Sequence, residues 1–258
     1  IEFLFRKNKI TVVKGSGKFS SANTIEVTNP DDNSTIQLGA KNIILATGAR
    51  TRSIPGVAID GKRVIGSREA MLLPQIPKSI IVIGAGAIGV EFAYIYNSFG
   101  AEVNIVEMLP QILPVEDEEI AKELTRSFRK NRIGIYTSAK VESVQTKDDS
   151  VEVVIDTNGV KKTLTAEYAL MAIGVQPNSE NLGLEEIGIE TQKGWIKIDE
   201  HFQTNVPGIF AIGDIIGNPC LAHVASAEGI HAVEFIAGKN PEPVNYAAVP
   251  GCTYCQPQ

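Results

Sequence analysis

Three glycines near the centre of the chain have the types and spacing of a phosphate-binding turn. The run Gly84-Ala85-Gly86-Ala87-Ile88-Gly89 follows four apolar residues and opens a helical pattern. In such a run the first glycine allows a tight turn, the second lets the backbone approach a pyrophosphate, and the third lets helix pack closely on strand. The free N–H groups at the start of the helix then face the phosphates. The run predicts a dinucleotide site, with an ordinary turn of similar sequence as the alternative.

The carboxylate of Glu107 indicates which dinucleotide this site prefers. It ends a second short apolar run, Val103–Val106, about eighteen residues after Gly89. A carboxylate in that place accepts hydrogen bonds from the hydroxyls of the adenosine ribose and repels a 2′-phosphate. Arg126 and Arg129 fall in a later helix and are poorly placed to bind a 2′-phosphate. The sequence therefore favours NAD(H) over NADP(H).

Composition and charge exclude several other classes of protein. The chain has 258 residues, of which 43% are hydrophobic and 21% charged, as expected for one large or two ordinary globular domains. A net charge of −6 argues against a nucleic-acid or anionic-membrane partner. No apolar run reaches the length of a membrane span, and the N-terminus is not a signal peptide. Three cysteines, an odd number, favour a reducing cytoplasm.

The elements that position the glycine turn form an internal repeat. An antiparallel meander followed by a buried strand ending in Ala-x-Gly occurs at 10–48 and again at 140–174. A third Ala-x-Gly strand ends at Asp214. Strands are predicted at 10–15, 24–28, 35–38, 140–145, 151–156 and 161–165, and helices at 88–99, 116–131 and 221–235. The run Asp156-Thr-Asn-Gly159 is predicted to be a hairpin turn between the last two of these strands. The repeat predicts two similar nucleotide-binding domains, one inserted in the other.

These residues resemble the pyridine-nucleotide:disulfide oxidoreductases over essentially the whole chain. The resemblance rests on the glycine run with Glu107 and on Gly15-Ser-Gly17-Lys-Phe19, Ala46–Ala49, Gly174–Asn178, Ala211–Asp214 and Leu221-Ala-His223. It implies an α/β fold with two Rossmann-like, three-layer domains that carry antiparallel meanders. An NAD-binding domain at 76–200 would be inserted in an incomplete FAD-binding domain at 1–75 and 201–243. Residues 244–258 would begin a truncated interface domain, which makes the homodimer.

The resemblance assigns cofactor contacts to positions that match the family's motifs. On the NAD side they would be Gly84, Ala85, Gly86, Ala87, Ile88, Gly89, Glu91, Glu107, Val141 and Gly174. On the FAD side they would be Gly17, Thr47, Gly48, Ala49, Asp214, Cys220, Leu221, Ala222 and His223. Asp214 would accept a ribityl hydroxyl, with an N-cap or turn aspartate as the alternative. Glu91 would face the nicotinamide, with a carboxylate that stabilises the helix start as the alternative.

The activity that the resemblance implies is electron transfer through a disulfide and FAD to NAD+. The branch it is most similar to oxidises dihydrolipoamide within lipoamide-bearing multienzyme complexes and contributes to cell redox homeostasis. The family's Cys-x4-Cys pair and the histidine–glutamate pair of its interface domain are missing, so we assign no catalytic residue. We expect a fragment of a longer cytoplasmic protein, inactive alone, that holds FAD weakly or not at all. Alternatives are a transhydrogenase or mercuric reductase type, or a non-catalytic NAD-binding module.

Two clusters could be read as metal or redox sites. Cys252-Thr253-Tyr254-Cys255 is either a pair of incidental cysteines, a redox motif or half of a zinc site. A zinc site needs two further ligands at matching spacing, which the sequence does not offer. The acidic run 116–119 is interpreted as carboxylates at a helix start, where the helix dipole favours them. We therefore expect no metal site.

Overall fold

The computed structural model describes residues 1–217 and 219–257. The helices are α1 (Glu2–Lys7), α2 (Ser67–Met71), α3 (Ala87–Ser98), α4 (Glu118–Lys130) and α5 (Ala222–Ile236), with short 3-10 helices at Gly213–Ile215 and Tyr246–Ala248. The first nine strands are β1 (Ser16–Ser21), β2 (Thr24–Thr28), β3 (Thr35–Gly39), β4 (Ile43–Leu45), β5 (Ala49–Thr51), β6 (Val64–Ile65), β7 (Ser79–Ile83), β8 (Glu102–Val106) and β9 (Gly134–Tyr136). The other strands are β10 (Ala139–Thr146), β11 (Val151–Thr157), β12 (Val160–Ala166), β13 (Tyr168–Met171), β14 (Val175–Pro177), β15 (Thr191–Gln192), β16 (Trp195–Ile196) and β17 (Ile209–Ala211).

The chain folds as two compact units. Unit 1 holds Ile1–Arg50 and Pro177–Val249, and unit 2 holds Thr51–Gln176 and Pro250–Gln258. Gln258, the last residue of the expected interface segment, lies outside the described residues. The chain passes between the units within the short strands β5 and β14. An inserted unit within a discontinuous one is the organisation that the repeat predicted.

The boundaries of these units differ from the predicted domain boundaries of 1–75, 76–200, 201–243 and 244–258. Residues 51–75 belong to unit 2 because β6 pairs in parallel with β13. Residues 177–200 belong to unit 1 because Leu184, Ile189 and Ile196 share a core with Phe19 and Leu45. Within the expected interface segment, the chain changes unit between residues 249 and 250. Long-range strand pairing and core packing set these limits, and local sequence patterns do not report them.

Unit 2 has three layers around a five-stranded sheet of order β6-β13-β7-β8-β9. All its pairings are parallel. Strand β7 is buried on both faces, as its unbroken apolar run predicts. Ile80 and Val82 pack in the core that includes Val90 of α3, whereas Ile81 and Ile83 pack in the core that includes the meander β10-β11-β12. The predicted Rossmann-like, three-layer fold is confirmed here.

The meander of unit 2 is closed by the predicted hairpin turn. Strands β11 and β12 pair from Val151 with Ala166 to Thr157 with Val160. Asn158 and Gly159 form the two-residue loop, with φ values of 54° and 85°. Positive φ at both positions is the geometry of a type I′ turn, which matches the twist of a hairpin. Asp156 accepts the N–H of Gly159 at 2.7 Å and fixes the loop.

Unit 1 contains the second meander, β1-β2-β3, and a parallel pair formed by β17 and β4. Its core joins Phe19 of the meander to Leu45 and Ile209 of the parallel pair. The strand predicted at 10–15 is wrong: residues 10–14 form no strand, and β1 begins at Ser16. This segment has the composition of a strand but no partner in the described residues, and its Ile10, Val12 and Val13 are exposed.

The predicted helices are confirmed at α3, α4 and α5, each within two residues of its expected ends. Asp117 is the N-cap of helix α4, and its side chain accepts the N–H of Glu119 at 2.8 Å. Glu118 and Glu119 lie in its first turn, where the helix dipole favours negative charge. None of the helices in the described residues has the length and apolar character needed to cross a bilayer.

Candidate dinucleotide site

The turn after β7 requires glycine at position 84. Gly84 has a φ of +104°, which side-chain-bearing residues rarely adopt. A Cβ at this position would lie 2.4 Å from the carbonyl oxygen of Ala172. The backbone N–H of Gly84 donates to the Val106 carbonyl at 2.8 Å, so the turn is bonded to β8. The first glycine therefore brings the ends of β7, β8 and β13 together at one edge of the sheet.

The other two glycines of the run do different things. A Cβ on Gly89 would lie 2.0 Å from the carbonyl oxygen of Gly84, so only glycine lets α3 pack this closely on the turn. A Cβ on Gly86 would meet no atom within 4 Å. Gly86 is the N-cap of α3 and no side chain caps that end. The open space at Gly86, next to the uncapped N–H groups of Ala87 and Ile88, fits a pyrophosphate.

Glu107 lies at the carboxyl end of β8 and is buried. Its carboxylate accepts the N–H of Ala85 at 2.7 Å and the N–H of Leu109 at 2.9 Å. The carbonyl of Ala85 in turn accepts the N–H of Leu113 at 2.7 Å. The carboxylate of Glu107 therefore stabilises the glycine turn by a hydrogen bond, in addition to lying at its edge. Sequence reasoning predicted its place but not this bracing contact.

Gly174 and Val141, the two remaining predicted NAD contacts, lie on different elements. Gly174 follows β13 and has a φ of +100°. Its carbonyl accepts the N–H of Arg52 at 3.0 Å, and the Arg52 side chain donates to the Ile173 carbonyl at 2.7 Å. Val141 lies in β10, half-buried against the meander-side core. Gly174 is two residues from Ala172, which touches the glycine turn, whereas Val141 is held by the meander.

Glu91 lies in the second turn of α3 and already has a partner. Its carboxylate accepts the N–H of Tyr254 at 2.8 Å. Tyr254 belongs to residues 250–257, called the C-terminal strap below. The strap is also held by Ser127, which donates to the Gln256 carbonyl at 2.8 Å. No motif in the sequence indicated this contact, since nothing local connects position 91 to position 254.

In unit 1 the predicted flavin residues gather at the carboxyl ends of β4 and β17. These strands pair in parallel, with Ala211 opposite Leu45, and the N–H of Ile212 donates to the Leu45 carbonyl at 3.0 Å. Thr47, Gly48 and Ala49 follow β4, and Asp214 follows β17 in the short 3-10 helix. The carboxyl edge of parallel strands is where α/β folds bind ligands.

Thr47 and Gly48 are fixed by Asn178. The side chain of Asn178 donates to the Thr47 carbonyl at 3.0 Å, its N–H donates to the Gly48 carbonyl at 2.9 Å, and its own carbonyl accepts the Thr47 hydroxyl at 2.9 Å. Arg50 forms a two-pronged ion pair with Glu180, and its guanidinium lowers the pKa of Glu180 to about 2. Thr47, Asn178, Arg50 and Glu180 help line a cavity of about 560 Å³. Asn178 and Arg50 were not among the predicted site residues.

The turn that carries Asp214 rests on a buried carboxylate. Glu228 of α5 is 2% exposed and accepts the N–H of Gly213 at 2.6 Å and the hydroxyl of Tyr246 at 2.8 Å. Burial, followed by the bond to Glu228, raises the pKa of Tyr246. Sequence reasoning missed Glu228, because a glutamate inside a helix is ordinarily a solvated residue.

The other predicted flavin residues lie around the start of α5, with one exception. Leu221 is the N-cap, and Ala222 and His223 are exposed in the first turn. Cys220 is half-buried, and burial, with the charges of Asp214 and Glu228, raises its pKa to about 11. Gly17 is the exception: it lies in the meander strand β1, where a Cβ would be 3.2 Å from Ile25.

The three cysteine side chains differ in their exposure to solvent. Cys252 is exposed, whereas Cys220 and Cys255 are partly buried. Burial, with the charge of Glu91, raises the pKa of Cys255. In residues 1–217 and 219–257, no group of three or more His, Cys, Asp and Glu side chains could hold a metal ion.

A Rossmann-like sheet, an open glycine turn and a carboxylate at the next strand end define a nucleotide-binding α/β protein. The chain belongs to the family of pyridine nucleotide-disulphide oxidoreductases, which its residues 1–229 match. Dihydrolipoyl dehydrogenase of Chlorobaculum tepidum is 44% identical over 258 residues, which are 100% of this chain and 55% of that protein. Mitochondrial dihydrolipoyl dehydrogenase 1 of Arabidopsis thaliana is 43% identical over 261 residues, 100% of this chain and 51% of that protein.

Solved structures agree with this assignment. The crystal structure of LpdA from Mycobacterium tuberculosis has a TM-score of 0.88 and 30% identity, and the match covers 99% of this chain and 57% of that one. The HOCl-induced flavoprotein disulfide reductase RclA from Escherichia coli has a TM-score of 0.81 and 26% identity, over 94% of this chain and 56% of that one. The chain spans about half the length of the curated relatives it matches.

Proposed function

We propose that unit 2 binds NAD(H) at the turn between β7 and α3. The observation that carries the proposal is the open space at Gly86 beside the uncapped start of α3. The N–H groups of Ala87 and Ile88 would bind the pyrophosphate, and Glu107 would accept the ribose hydroxyls with the oxygen lone pairs that the backbone leaves free. Glu91 would lie towards the nicotinamide. When bound, NAD+ supplies the hydride acceptor.

The preference for NAD(H) over NADP(H) follows from the charge of Glu107. A buried carboxylate would repel a 2′-phosphate placed next to it. The two hydrogen bonds of Glu107 come from neutral backbone N–H groups, which do not cancel its charge. Titration of the 258-residue chain with NADH and with NADPH tests the proposal. We expect saturable NADH binding and much weaker NADPH binding. Equal affinities, or no NADH binding, would contradict it.

For the whole protein we propose the activity of a flavin-dependent dihydrolipoyl dehydrogenase. The support is the identity of 44% to relatives with that name, against 26% to RclA. Such an enzyme would pass electrons from dihydrolipoamide through a disulfide and FAD to NAD+, as a homodimer that serves a lipoamide-bearing complex. Other flavin disulfide reductases are the second candidate. The cytoplasmic location stays a prediction.

For FAD, unit 1 supplies Thr47, Gly48 and Asp214 at one strand edge, where they fit ribityl and ring contacts. The sequence has a single Gly-x-Gly-x-x-Gly run, at Gly84–Gly89 in unit 2, so unit 1 has no matching cradle for a second pyrophosphate. We therefore expect the purified chain to be colourless. Absorbance of one flavin per chain would contradict this expectation while leaving the NAD(H) proposal intact.

A further inference from the structure

The glycine turn and α3 carry no basic side chain, although the proposed ligand is an anion. Residues 84–98 include no lysine and no arginine. The charged side chains at this place are carboxylates: Glu91 lies in the second turn of α3, and Glu107 accepts the N–H of Ala85 at 2.7 Å. The start of α3 offers the pyrophosphate of NADH only partial positive charges. A full positive charge from another element of unit 2 would therefore strengthen binding.

The glycine turn lies at the topological switch point of the sheet. In the strand order β6-β13-β7-β8-β9, the chain proceeds from β7 through β8 to β9 on one side, whereas β13 and β6 lie on the other side of β7. Ligands of open α/β sheets bind outside the carboxyl ends of the strands at such a point. The loop that follows β13 is therefore next to the proposed site, on the side of β7 opposite to Glu107.

Arg52 is fixed to this loop by its backbone and by its side chain. Its N–H donates to the Gly174 carbonyl at 3.0 Å, and its guanidinium donates to the Ile173 carbonyl at 2.7 Å. A Cβ on Gly84 would lie 3.0 Å from the backbone nitrogen of the same Ile173. The guanidinium is therefore within about 10 Å of the glycine turn, because only the backbone of one residue separates the two contacts. Arg52 is exposed, and no carboxylate in residues 1–217 and 219–257 forms an ion pair with it.

We propose that Arg52 supplies the positive charge that attracts the pyrophosphate of NADH to the glycine turn. This role rests on the proposed function of unit 2. Charges about 10 Å apart attract each other in dilute salt, where the Debye length is about 30 Å at 0.01 M, and are screened at 1 M, where it is about 3 Å. Removal of the charge should therefore raise the Kd for NADH by about fivefold in 0.01 M salt and by much less in 1 M salt.

Arg63 offers a matched control, because it is an arginine of the same unit at the opposite edge of the sheet. Its side chain donates to the carbonyls of Asp148 at 2.9 Å and Glu167 at 3.3 Å. Glu167 precedes β13, whereas Ile173 follows it, so the guanidinium groups of Arg63 and Arg52 are about 20 Å apart. Loss of the Arg63 charge changes the net charge of the chain by the same amount and should leave NADH binding nearly unchanged.

The test is titration of the 258-residue chain and its variants with NADH at about 0.01 M and about 1 M salt. Arg52→Gln should raise the Kd by about fivefold at the lower salt concentration, and the difference from the wild type should largely disappear at the higher one. Arg52→Met, which also removes the charge, should behave in the same way. Arg52→Lys keeps the charge and should bind within about twofold of the wild type, as should Arg63→Gln. Thermal unfolding shows that each variant is folded.

The outcomes separate the role of Arg52 from the proposed function. If the folded uncharged variants bind NADH as the wild type does in dilute salt, or if Arg63→Gln loses as much affinity, the role of Arg52 is overturned and the NAD(H) proposal stands. A loss of affinity that persists unchanged in 1 M salt would also overturn it, because a merely structural contribution is not screened. If the wild type binds no NADH, the proposed function fails, and the role of Arg52 fails with it.

Discussion

The carboxylate of Glu107 accepts the backbone N–H of Ala85 at 2.7 Å, so the acid at the end of β8 holds the glycine turn that follows β7. One side chain therefore combines two roles. It is the proposed ribose acceptor, and it accepts the buried N–H of Ala85 in the turn and the N–H of Leu109 just after β8. Substitutions at this position must separate ligand recognition from the stability of the turn.

Glu107→Ala should weaken NADH binding and narrow the difference between NADH and NADPH, because the repulsive charge is lost. It should also lower the free energy of unfolding by about 1–3 kcal/mol, since two N–H groups lose their acceptor. Glu107→Gln should also reduce the difference in affinity between NADH and NADPH. It should lower the free energy of unfolding less than Glu107→Ala does. Titration and urea unfolding measure both effects. Glu102→Ala, exposed on the same strand, is the control and should change neither.

The glycine run offers a matched pair of substitutions. Gly89→Ala places a Cβ 2.0 Å from the Gly84 carbonyl oxygen, so it should lower the free energy of unfolding by about 1–3 kcal/mol. Gly86→Ala meets no atom within 4 Å and should leave stability nearly unchanged, while its methyl group blocks the pyrophosphate. Thermal unfolding and NADH titration separate the two variants. A Gly86→Ala chain with unchanged NADH affinity would place the pyrophosphate elsewhere.

Tyr246→Phe should destabilise unit 1 by about 1–3 kcal/mol, because the buried carboxylate of Glu228 loses a donor. The folded pKa of Tyr246 is raised, so the stabilisation is present below its ordinary pKa of about 10 and is lost as the pH rises through the folded value. Urea unfolding of both chains across alkaline pH measures this. Tyr254→Phe, an exposed tyrosine, should behave as the wild type; an equal loss there would discount the Glu228 contact.

The ion pair of Arg50 with Glu180 should make the free energy of unfolding depend on pH in the acid range. The folded pKa of Glu180 is about 2, below its ordinary 4.5, so the stabilisation is present above 4.5 and is lost as the pH falls through about 2. Both side chains are well exposed, so Glu180→Gln should cost only about 0.2–1 kcal/mol at neutral pH. Unfolding free energies of the two chains should converge near pH 2. Glu185→Gln, exposed nearby in sequence, is the control.

The sequence was sufficient for the features that depend on local spacing. Each of three such features lies where one element of secondary structure meets the next along the chain: the glycine run, Glu107 and the turn at Asn158-Gly159. The backbone conformation and the close approach of neighbouring backbone atoms allow only a few residue types at these positions. The residue types there therefore predict the local structure.

Features that depend on distant partners could not be predicted. Residues 10–14 have the composition of a strand, yet a strand forms only where another chain segment pairs with it. Glu228 and Glu91 look like ordinary helix carboxylates until Gly213, Tyr246 and Tyr254 are folded against them. The assignment of 51–75 to unit 2 likewise depends on β6 pairing with β13, more than a hundred residues later.

The bond between Arg52 and Gly174 has an architectural consequence. These residues stand at the two ends of 51–176, and the N–H of one donates to the carbonyl of the other at 3.0 Å. In unit 1, the N–H of Asn178 donates to the carbonyl of Gly48 at 2.9 Å, so the residues just outside 51–176 are also bonded to each other. A segment whose ends already meet adds little loop-closure entropy to its host. The presence of residues 51–176 between the two segments of unit 1 therefore costs unit 1 little conformational entropy on folding.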